Sequence, residues 1–542
     1  MNDEGESPPT VLRGRVFTAN RRRPWAGAVA FDRTGVLAVG SLEEVDAAAG
    51  SATRIDVGNH TIVPGFIDAH NHFLATGESL ASLDVRYPSV ASVEDLVEVV
   101  RAAAATVPAN GTIHAFGFDH AKYERTPTRW DLDRATDAHT VFVQHVSGHH
   151  VLVNSRALER HGVRDDTPDP PGGELVRDEH GRITGLCLDA AMGLVLPVAV
   201  DIGSHGPNFH THASIEELVD DVERAGDAFL AAGLTTVCDA QVTLRELAAY
   251  RAARASGRLP VRTVAMPLSH QLEAYRSIGL AGPFGDDRLR IGAMKLYADG
   301  SLIGGTAMFS EPYGASGEFA GSLYSSEEDL ARMIAAAHED GWQVGVHVQG
   351  DRAIEVVLGA IEAAVRVSPR DHRHRLEHAG YPTPAQIGRI AELGVVTVNQ
   401  PSYLFDSGDE FLDRLGSRAH GLIPLRSELD AGVRVVLSSD SDVTSYRPMD
   451  TIASAVGRVT RAGRQIGPDQ ALTIEESLFA HTIDAAHALF LEDRLGSLEP
   501  GKLADVVVLD RDVSAVAPDE LASVGVDMTF LGGRPVYRGG AA

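Results

Sequence analysis

Eight short apolar runs, each typical of a buried β-strand, recur through the middle of the chain, and helical stretches separate most of them. This alternation is typical of parallel βαβ units and indicates an α/β fold. Eight such units predict a closed (β/α)8 barrel of the TIM type. The strand candidates are Thr61–Asp68, Leu234–Ala240, Val261–Leu268, Leu289–Tyr297, Gln343–Val348, Arg375–Ala379, Val395–Pro401 and Val433–Asp440.

Both ends of the chain are rich in β-strand patterns broken by Gly and Pro. We therefore expect one small β-sandwich domain built from residues 1–60 and 493–542, around a barrel formed by residues 61–72 and 214–492. The terminal strand candidates are Val11–Ala19, Ala28–Asp32, Val36–Gly40, Lys502–Asp510 and Met528–Tyr537.

Residues 73–213 separate the first two barrel strands, although a βα crossover needs only about a dozen residues. This segment contains its own strand candidates at Gly111–Phe118 and Val141–Val146. It also contains a hairpin pattern at Gly172–Leu188, with Asp178–Gly181 as the turn. The segment is predicted to be an insertion that covers the mouth of the barrel.

The composition excludes several classes of partner. A net charge of −27 argues against nucleic acid and anionic membranes, since both need basic patches. No run approaches the roughly 18 uncharged apolar residues of a membrane helix. The acidic start lacks a signal-peptide pattern, so a cytoplasmic protein with a small-molecule substrate is expected. Only two cysteines occur, Cys187 and Cys238, which excludes a cysteine-based metal cluster.

Residues that bind metals fall at the carboxyl ends of five predicted barrel strands, where active sites form in this fold. Singly, each has an ordinary structural explanation, such as a lysine paired with a carboxylate or an aspartate that caps a helix. Together they predict a metal centre, because all would point into the same end of the barrel. The set is His70 and His72 on strand one, Lys295 on strand four, His347 on strand five, His378 on strand six and Asp440 on strand eight.

Longer motifs surround these residues: Pro64–His72, Ser147–Leu158, Lys295–Ser301, His347–Ala353, Arg375–His378, Ser439–Asp440 and Gly496–Asp505. Their order resembles the amidohydrolase superfamily. The local sequences are similar to amidohydrolase family 3, which includes N-substituted formamide deformylases. The resemblance runs from about residue 10 to the end of the chain.

This resemblance implies a divalent metal centre with one or two ions, zinc being the expected metal. His70 and His72 would bind one ion, and His347 and His378 would bind a second or complete the first. Lys295 would be carboxylated and bridge two ions, which requires a neutral amine and therefore a depressed pKa. The structural alternative is a lysine paired with Asp299 or Asp440. Asp440 would bind metal and act as general base and acid.

Three further residues are predicted to bind substrate, namely His149, Asn154 and Asp299. For His149 and Asn154 the alternative is capping and packing of the insertion, and for Asp299 it is ordinary turn chemistry. The predicted reaction is hydrolysis of a C–N bond in an amide or N-substituted formamide. Deamination, or lactone or ester hydrolysis, on the same metal site is the alternative, and a non-catalytic binding protein is the third. Homo-oligomers are also expected from the resemblance.

Overall fold

The structure, a computed structural model, describes residues 8–170, 173–313 and 320–540. Two predicted features include residues outside these ranges. They are the acidic start of the chain at residues 1–7 and the first residue of the predicted hairpin, Gly172.

Both ends of the chain meet in one seven-stranded sheet. The N-terminal part supplies β1 (Thr10–Phe17), β2 (Trp25–Asp32), β3 (Gly35–Gly40) and β4 (Thr53–Pro64), with helix α1 (Leu42–Ala49) after β3. The C-terminal part supplies β21 (Val506–Leu509), β22 (Val526–Leu531) and β23 (Arg534–Arg538). The strand order is β23-β22-β21-β4-β1-β2-β3. The prediction that both termini build one β unit agrees with this sheet, whereas the two-layered sandwich stays a prediction.

The first barrel strand differs from its prediction. Residues 61–64 belong to β4 and pair with β1 and β21, while β5 (Phe66–Asn71) pairs in parallel with the strand that begins at Leu234. The predicted strand Thr61–Asp68 was therefore wrong in its extent. The change of sheet occurs at Gly65, where a Cβ atom would lie 2.2 Å from the Thr235 hydroxyl oxygen. Only glycine allows this close approach between neighbouring chain segments.

Residues of the predicted insertion form a separate six-stranded sheet, and its predicted strands and hairpin are confirmed. The strand order is β10-β11-β9-β8-β7-β6. The strands are β6 (Leu83–Asp84), β7 (Thr112–Phe118), β8 (Thr140–His145), β9 (His150–Val153), β10 (Gly173–Arg177) and β11 (Ile183–Asp189). The helices of this region are α2 (Phe73–Ala81), α3 (Val93–Ala104), α4 (Arg129–Ala135) and α5 (Ser155–Arg160).

The barrel segments form two five-stranded sheets that are parallel except at β14. Their orders are β14-β15-β13-β12-β5 and β16-β17-β18-β19-β20. The predicted strand Leu289–Tyr297 is divided between them. The remaining strands are β12 (Leu234–Val242), β13 (Arg262–Pro267), β14 (Phe284–Gly285), β15 (Leu289–Ile291), β16 (Met294–Tyr297), β17 (Val344–Val348), β18 (Arg375–His378), β19 (Val396–Asn399) and β20 (Arg434–Leu437).

The two sheets contact each other at both ends. Leu268 and Lys295 form a parallel bridge at one junction. At the other, the Asp440 N–H donates to the His70 carbonyl at 2.9 Å. There the Ser439 N–H also donates to the Asp68 carboxylate at 3.1 Å. The α/β class is thus confirmed, with all eight predicted strands present as two hydrogen-bonded groups.

Helices follow most of the barrel strands, and some of them begin at a residue whose side chain accepts from a free N–H group of the first turn. Thr383 and Gln386 form a capping box around Pro384, the first residue of its helix. Among the described residues no helix is both long and apolar enough to cross a membrane. The helices are α6 (Ile215–Ala231), α7 (Leu244–Ser256), α8 (Leu272–Ser277), α9 (Glu327–Glu339), α10 (Asp351–Val367), α11 (Pro384–Leu393), α12 (Ser402–Leu415), α13 (Leu425–Asp430), α14 (Pro448–Gly457), α15 (Ile474–Ala480) and α16 (Ile483–Ala488).

Candidate metal centre

Three of the predicted metal ligands converge where β5, β18 and β20 end. One nitrogen or oxygen atom each of His70, His378 and Asp440 lies within 4.8 Å of the others. His70 Nε2 lies 3.3 Å from Asp440 Oδ1, and His72 Nε2 lies 3.1 Å from the same oxygen. All four side chains are buried. The first and last barrel strands therefore supply the centre of the site.

The backbone at two of these positions is unusual. His378 has a φ of 75° and Asp440 a φ of 54°, both in the left-handed region that non-glycine residues seldom adopt. Such a conformation costs about 1–3 kcal/mol and persists only where the surroundings impose it. The packed strand ends thus hold both side chains in place at an energetic cost, which is typical of functional sites.

His70 is oriented by a carboxylate that the sequence prediction did not include. Its Nδ1 lies 2.6 Å from Glu377 Oε2, so the Nδ1 proton is donated there and Nε2 keeps its lone pair. Glu377 is fully buried and paired with Arg375 at 2.7 Å. Burial raises the pKa of Glu377, but the charge of Arg375 and the hydrogen bond from His70 outweigh this and hold it well below its usual value. In the sequence, the indication of this pair was the spacing of Arg375 and Glu377, which places both side chains on the same face of a strand.

Lys295 is fully buried on β16 and has no hydrogen-bond partner for Nζ among the described residues. The atom lies 4.7 Å from the centre of the Tyr297 ring. Burial lowers the pKa of Lys295 to about 8, although the charges of Glu377 and Asp440 act in the opposite direction. A neutral amine is therefore accessible near neutral pH, as carboxylation requires.

His347 and His378 lie side by side, with ring centres 4.5 Å apart. His347 Nε2 lies 3.1 Å from the Gly300 carbonyl, and His378 Nδ1 lies 2.7 Å from Gln400 Oε1. Each ring donates a proton to these acceptors and keeps its other nitrogen free. Burial lowers the pKa of His378 to about 3 and that of His347 well below its usual value. Both imidazoles are thus neutral, the form that binds metals.

Asp440 is ionised and fixed in orientation. Burial raises the pKa of Asp440, but the contacts with His70 and His72 lower it by more, so the pKa lies well below its usual value. The Tyr403 hydroxyl donates to Oδ2, which leaves Oδ1 directed at the two histidines. Tyr403 follows β19, and no sequence motif indicated its role.

The donor atoms fit a divalent metal ion. His70 Nε2, Asp440 Oδ1 and Lys295 Nζ are buried and lack hydrogen-bond partners within the described part of the chain. Burial of an unpaired polar atom costs about 1–3 kcal/mol, so these three atoms favour a partner such as a metal ion. Imidazole nitrogens and a carboxylate oxygen are typical zinc ligands. The residues predicted from the sequence therefore present a suitable ligand set.

A small cavity of about 30 Å³ opens onto this centre, lined by both the strand ends and the insertion. The segment Ser147–His149 between β8 and β9 forms part of the wall, opposite Gln349. His149 Nδ1 lies 2.8 Å from Asp189 Oδ1, and its ring centre lies 6.1 Å from that of His347. Of the residues predicted to bind substrate, His149 is thus brought to the cavity.

The structure does not bring Asn154 and Asp299 to the cavity wall. Asn154 begins α5, accepts from the N–H groups of Val141 and Ala157, and donates to the His139 carbonyl. The sequence left open whether Asn154 contacts substrate or caps and packs the insertion. These contacts are those of a helix cap. Asp299 accepts from the N–H groups of three residues, namely Met308, Gln349 and Gly350. It therefore holds the chain at Gln349, which lines the cavity.

Comparison with known proteins gives matches over most of the chain. The model of the Amidohydrolase family matches residues 53–537. The N-substituted formamide deformylase of Arthrobacter pascens is 33% identical over 96% of this chain and 97% of its own length. The putative amidohydrolase YtcJ of Bacillus subtilis is 29% identical over 97% and 98% of the two chains. An uncharacterized metal-dependent hydrolase from Pyrococcus horikoshii has a similar structure, with a TM-score of 0.76 and 26% identity over 94% and 99%.

Proposed function

Because the chain belongs to the amidohydrolase family, as its motifs indicated, we propose that it hydrolyses the C–N bond of an N-substituted formamide or a related amide. It is a metal-dependent hydrolase by this membership and by its likeness to metal-dependent hydrolases. The observation that carries the proposal is the set of buried, unpartnered donor atoms of His70, Asp440 and Lys295. The relation to a formamide deformylase supports the choice of substrate class.

The proposal assigns the ligands to one or two divalent ions, zinc being the expected metal. His70, His72, His378 and Asp440 surround the first position, and Lys295, once carboxylated, and His347 would hold the second. The proposal also covers the architecture of the chain. Residues 61–72 and 214–492 form a closed (β/α)8 barrel, and residues 1–60 and 493–542 form a terminal β-sandwich. Residues 73–213 form the insertion. Two contacts between the five-stranded sheets, at Lys295 and at Asp440, support the closed barrel.

When bound, a divalent metal lowers the pKa of a water molecule and polarises the substrate carbonyl. Asp440 accepts the proton of the attacking water and returns it to the leaving nitrogen as the C–N bond breaks. The products from a formamide are formate and a free amine. Tyr403 holds Oδ2 throughout, so the carboxylate presents one fixed oxygen to the reaction.

We expect side chains on the cavity wall to orient the substrate. His149 is held by Asp189 and by the Tyr324 hydroxyl, which lies 3.1 Å from His149 Nδ1. We expect His149 to contact the amide, while Asp299 keeps Gln349 in position through the backbone. The insertion therefore contributes to the choice of substrate.

The reaction class is tested with a panel of N-substituted formamides, N-acyl amines, lactones and aminated heterocycles. We expect the highest kcat/KM with N-substituted formamides, with equal release of formate and amine. Rapid hydrolysis of lactones or deamination of heterocycles, with formamides untouched, would replace the proposed reaction with one of the alternatives on the same site.

Removal of the metal is expected to abolish turnover, because the ligand atoms alone do not activate water. The protein is treated with a chelator and then given back zinc in measured amounts. Activity should return in proportion to bound zinc and reach a plateau at one or two ions per chain. Full activity of the metal-free protein would contradict the proposed function.

Substitution Lys295→Ala tests the carboxylated lysine. We expect activity to fall at least about tenfold, the lower end of the range for disturbed metal sites. Formate, acetate or propionate should restore part of it by replacing the missing carboxylate. Lys295→Arg should stay inactive, since a guanidinium is not carboxylated.

A matched control is Lys502→Ala in the terminal β unit, which should keep its activity with or without the added acids. Unchanged activity in Lys295→Ala would show that the lysine has no part in the metal centre.

A further inference from the structure

A second group of histidines lies in the insertion, apart from the barrel ligands. His120 follows β7 in a short 3₁₀ helix, His145 ends β8, and His150 begins β9. One ring nitrogen of each lies within 4.8 Å of the others. The ring centres of His145 and His150 are 4.8 Å apart, and those of His120 and His145 are 5.1 Å apart.

The nitrogens of this group lack partners. His120 Nδ1, His145 Nε2 and His150 Nδ1 are buried without a hydrogen bond in the described part of the chain. His145 is only 1% exposed and His150 only 3%. Buried polar atoms are nearly always paired, so three unpaired nitrogens at one place indicate a missing common partner.

The neighbours of the group favour a cation over an anion. Asp119 Oδ1 lies 3.6 Å from His145 Nε2. The Ser147 N–H donates to His145 Nδ1 at 3.1 Å, and the Ser147 hydroxyl lies 2.8 Å from the same nitrogen. Without an ion the ring proton is therefore on Nε2, and a bound ion requires the other tautomer, in which Nδ1 donates to the Ser147 hydroxyl. Burial lowers the pKa of His120 to about 4 and that of His150 well below its usual value. Neutral imidazoles beside a carboxylate are typical ligands of a cation, and the charge of Arg414 is the one opposing influence that acts on both His120 and His150.

We propose that His120, His145 and His150 bind one divalent cation of the zinc type, with Asp119 as the fourth ligand. Three histidines and a carboxylate suit the tetrahedral geometry of zinc. Ligand atoms around such an ion lie about 3.3 Å apart, so small side-chain rotations close the present spacing.

The position of this site links it to the catalytic cavity. His145 and His150 are the two residues that bound the segment Val146–His149, which supplies Ser147 and His149 to the cavity wall. His150 Nε2 also lies 3.5 Å from where a Cβ on Gly304 would be, so its ring packs against the chain after β16. A bound ion would therefore fix both ends of the segment that carries His149.

The test measures zinc per chain on the full-length protein after saturation with zinc and removal of the excess. We expect His145→Gln and His120→Gln each to lose one equivalent, while His161→Gln, a histidine of the same insertion outside the group, loses none. Added zinc should also raise the thermal midpoint of His161→Gln more than that of His145→Gln. His120 is partly exposed, so its variant remains informative if His145→Gln does not fold.

A second arm separates this site from the barrel. The variant His70→Asn is freed of metal and titrated with Co²⁺, whose visible absorption reports tetrahedral coordination. We expect His70→Asn to bind one more equivalent with this spectrum than the double variant His70→Asn/His145→Gln. Wild-type zinc content in both His145→Gln and His120→Gln would overturn the proposal and leave a metal-free group with His145 paired to Asp119. The barrel proposal would be unaffected.

Discussion

Substitution Asp440→Asn is expected to lower kcat by about 10²–10⁴-fold, the usual contribution of a general acid–base group, while the protein stays folded. Asn has nearly the same shape and keeps a partner for Tyr403, but its amide does not accept and return a proton. The measurement is turnover of the best formamide from the panel, together with the thermal midpoint and the metal content of the same preparation. The metal content separates loss of the proton relay from loss of an ion.

The matched variant is Tyr403→Phe, which removes the hydrogen bond to Asp440 Oδ2 and leaves the carboxylate in place. We expect a much smaller fall in kcat from it. Near-wild-type turnover in Asp440→Asn would exclude Asp440 as the proton carrier, whatever Tyr403→Phe does.

Substitution Arg375→Met is expected to destabilise the fold by about 3–5 kcal/mol, because it leaves the Glu377 carboxylate buried without a counter-charge. Both side chains of this pair are 0% exposed. Arg375 also donates to the Ala69 carbonyl at 2.7 Å, next to His70. The free energy of unfolding is measured by denaturant titration. Activity should also fall, since Glu377 orients His70.

The control is Arg54→Met, which breaks a pair with Asp46 whose side chains are 49% and 36% exposed. Exposed pairs contribute about 0–1 kcal/mol, so this variant should be nearly as stable as wild type. The double variant Arg375→Met/Glu377→Met should regain part of the lost stability, because no charge stays buried. An Arg375→Met variant as stable as the Arg54→Met control would refute the role of the buried pair.

The barrel strands were largely predictable because strands buried on both faces appear as apolar runs. Strands β12 and β13 lie within two residues of their predicted limits. The division at Gly65 was not predictable, because one apolar run continues through two sheets. Which strand a run pairs with depends on the tertiary fold.

The candidate metal ligands were chosen from their place at the strand ends, whereas the residues that contact and orient them were not predictable from the sequence. Glu377 stands next to His378, and only the structure shows that it supports His70 instead. Tyr403 reaches Asp440 across 37 positions of sequence. Asn154 was ambiguous because asparagine suits both substrate contacts and helix caps, and its three backbone contacts in the structure are those of a cap.

The bonds between Asp68 and Ser439 join residues 371 positions apart. Bringing such distant segments together costs loop-closure entropy that is recovered only when the intervening strands have packed. The histidines at the end of β5 therefore contact Asp440 only after synthesis has passed residue 440. We expect metal uptake at the barrel to follow folding, so that bound metal reports a completed chain and truncated fragments that end before β20 stay unloaded.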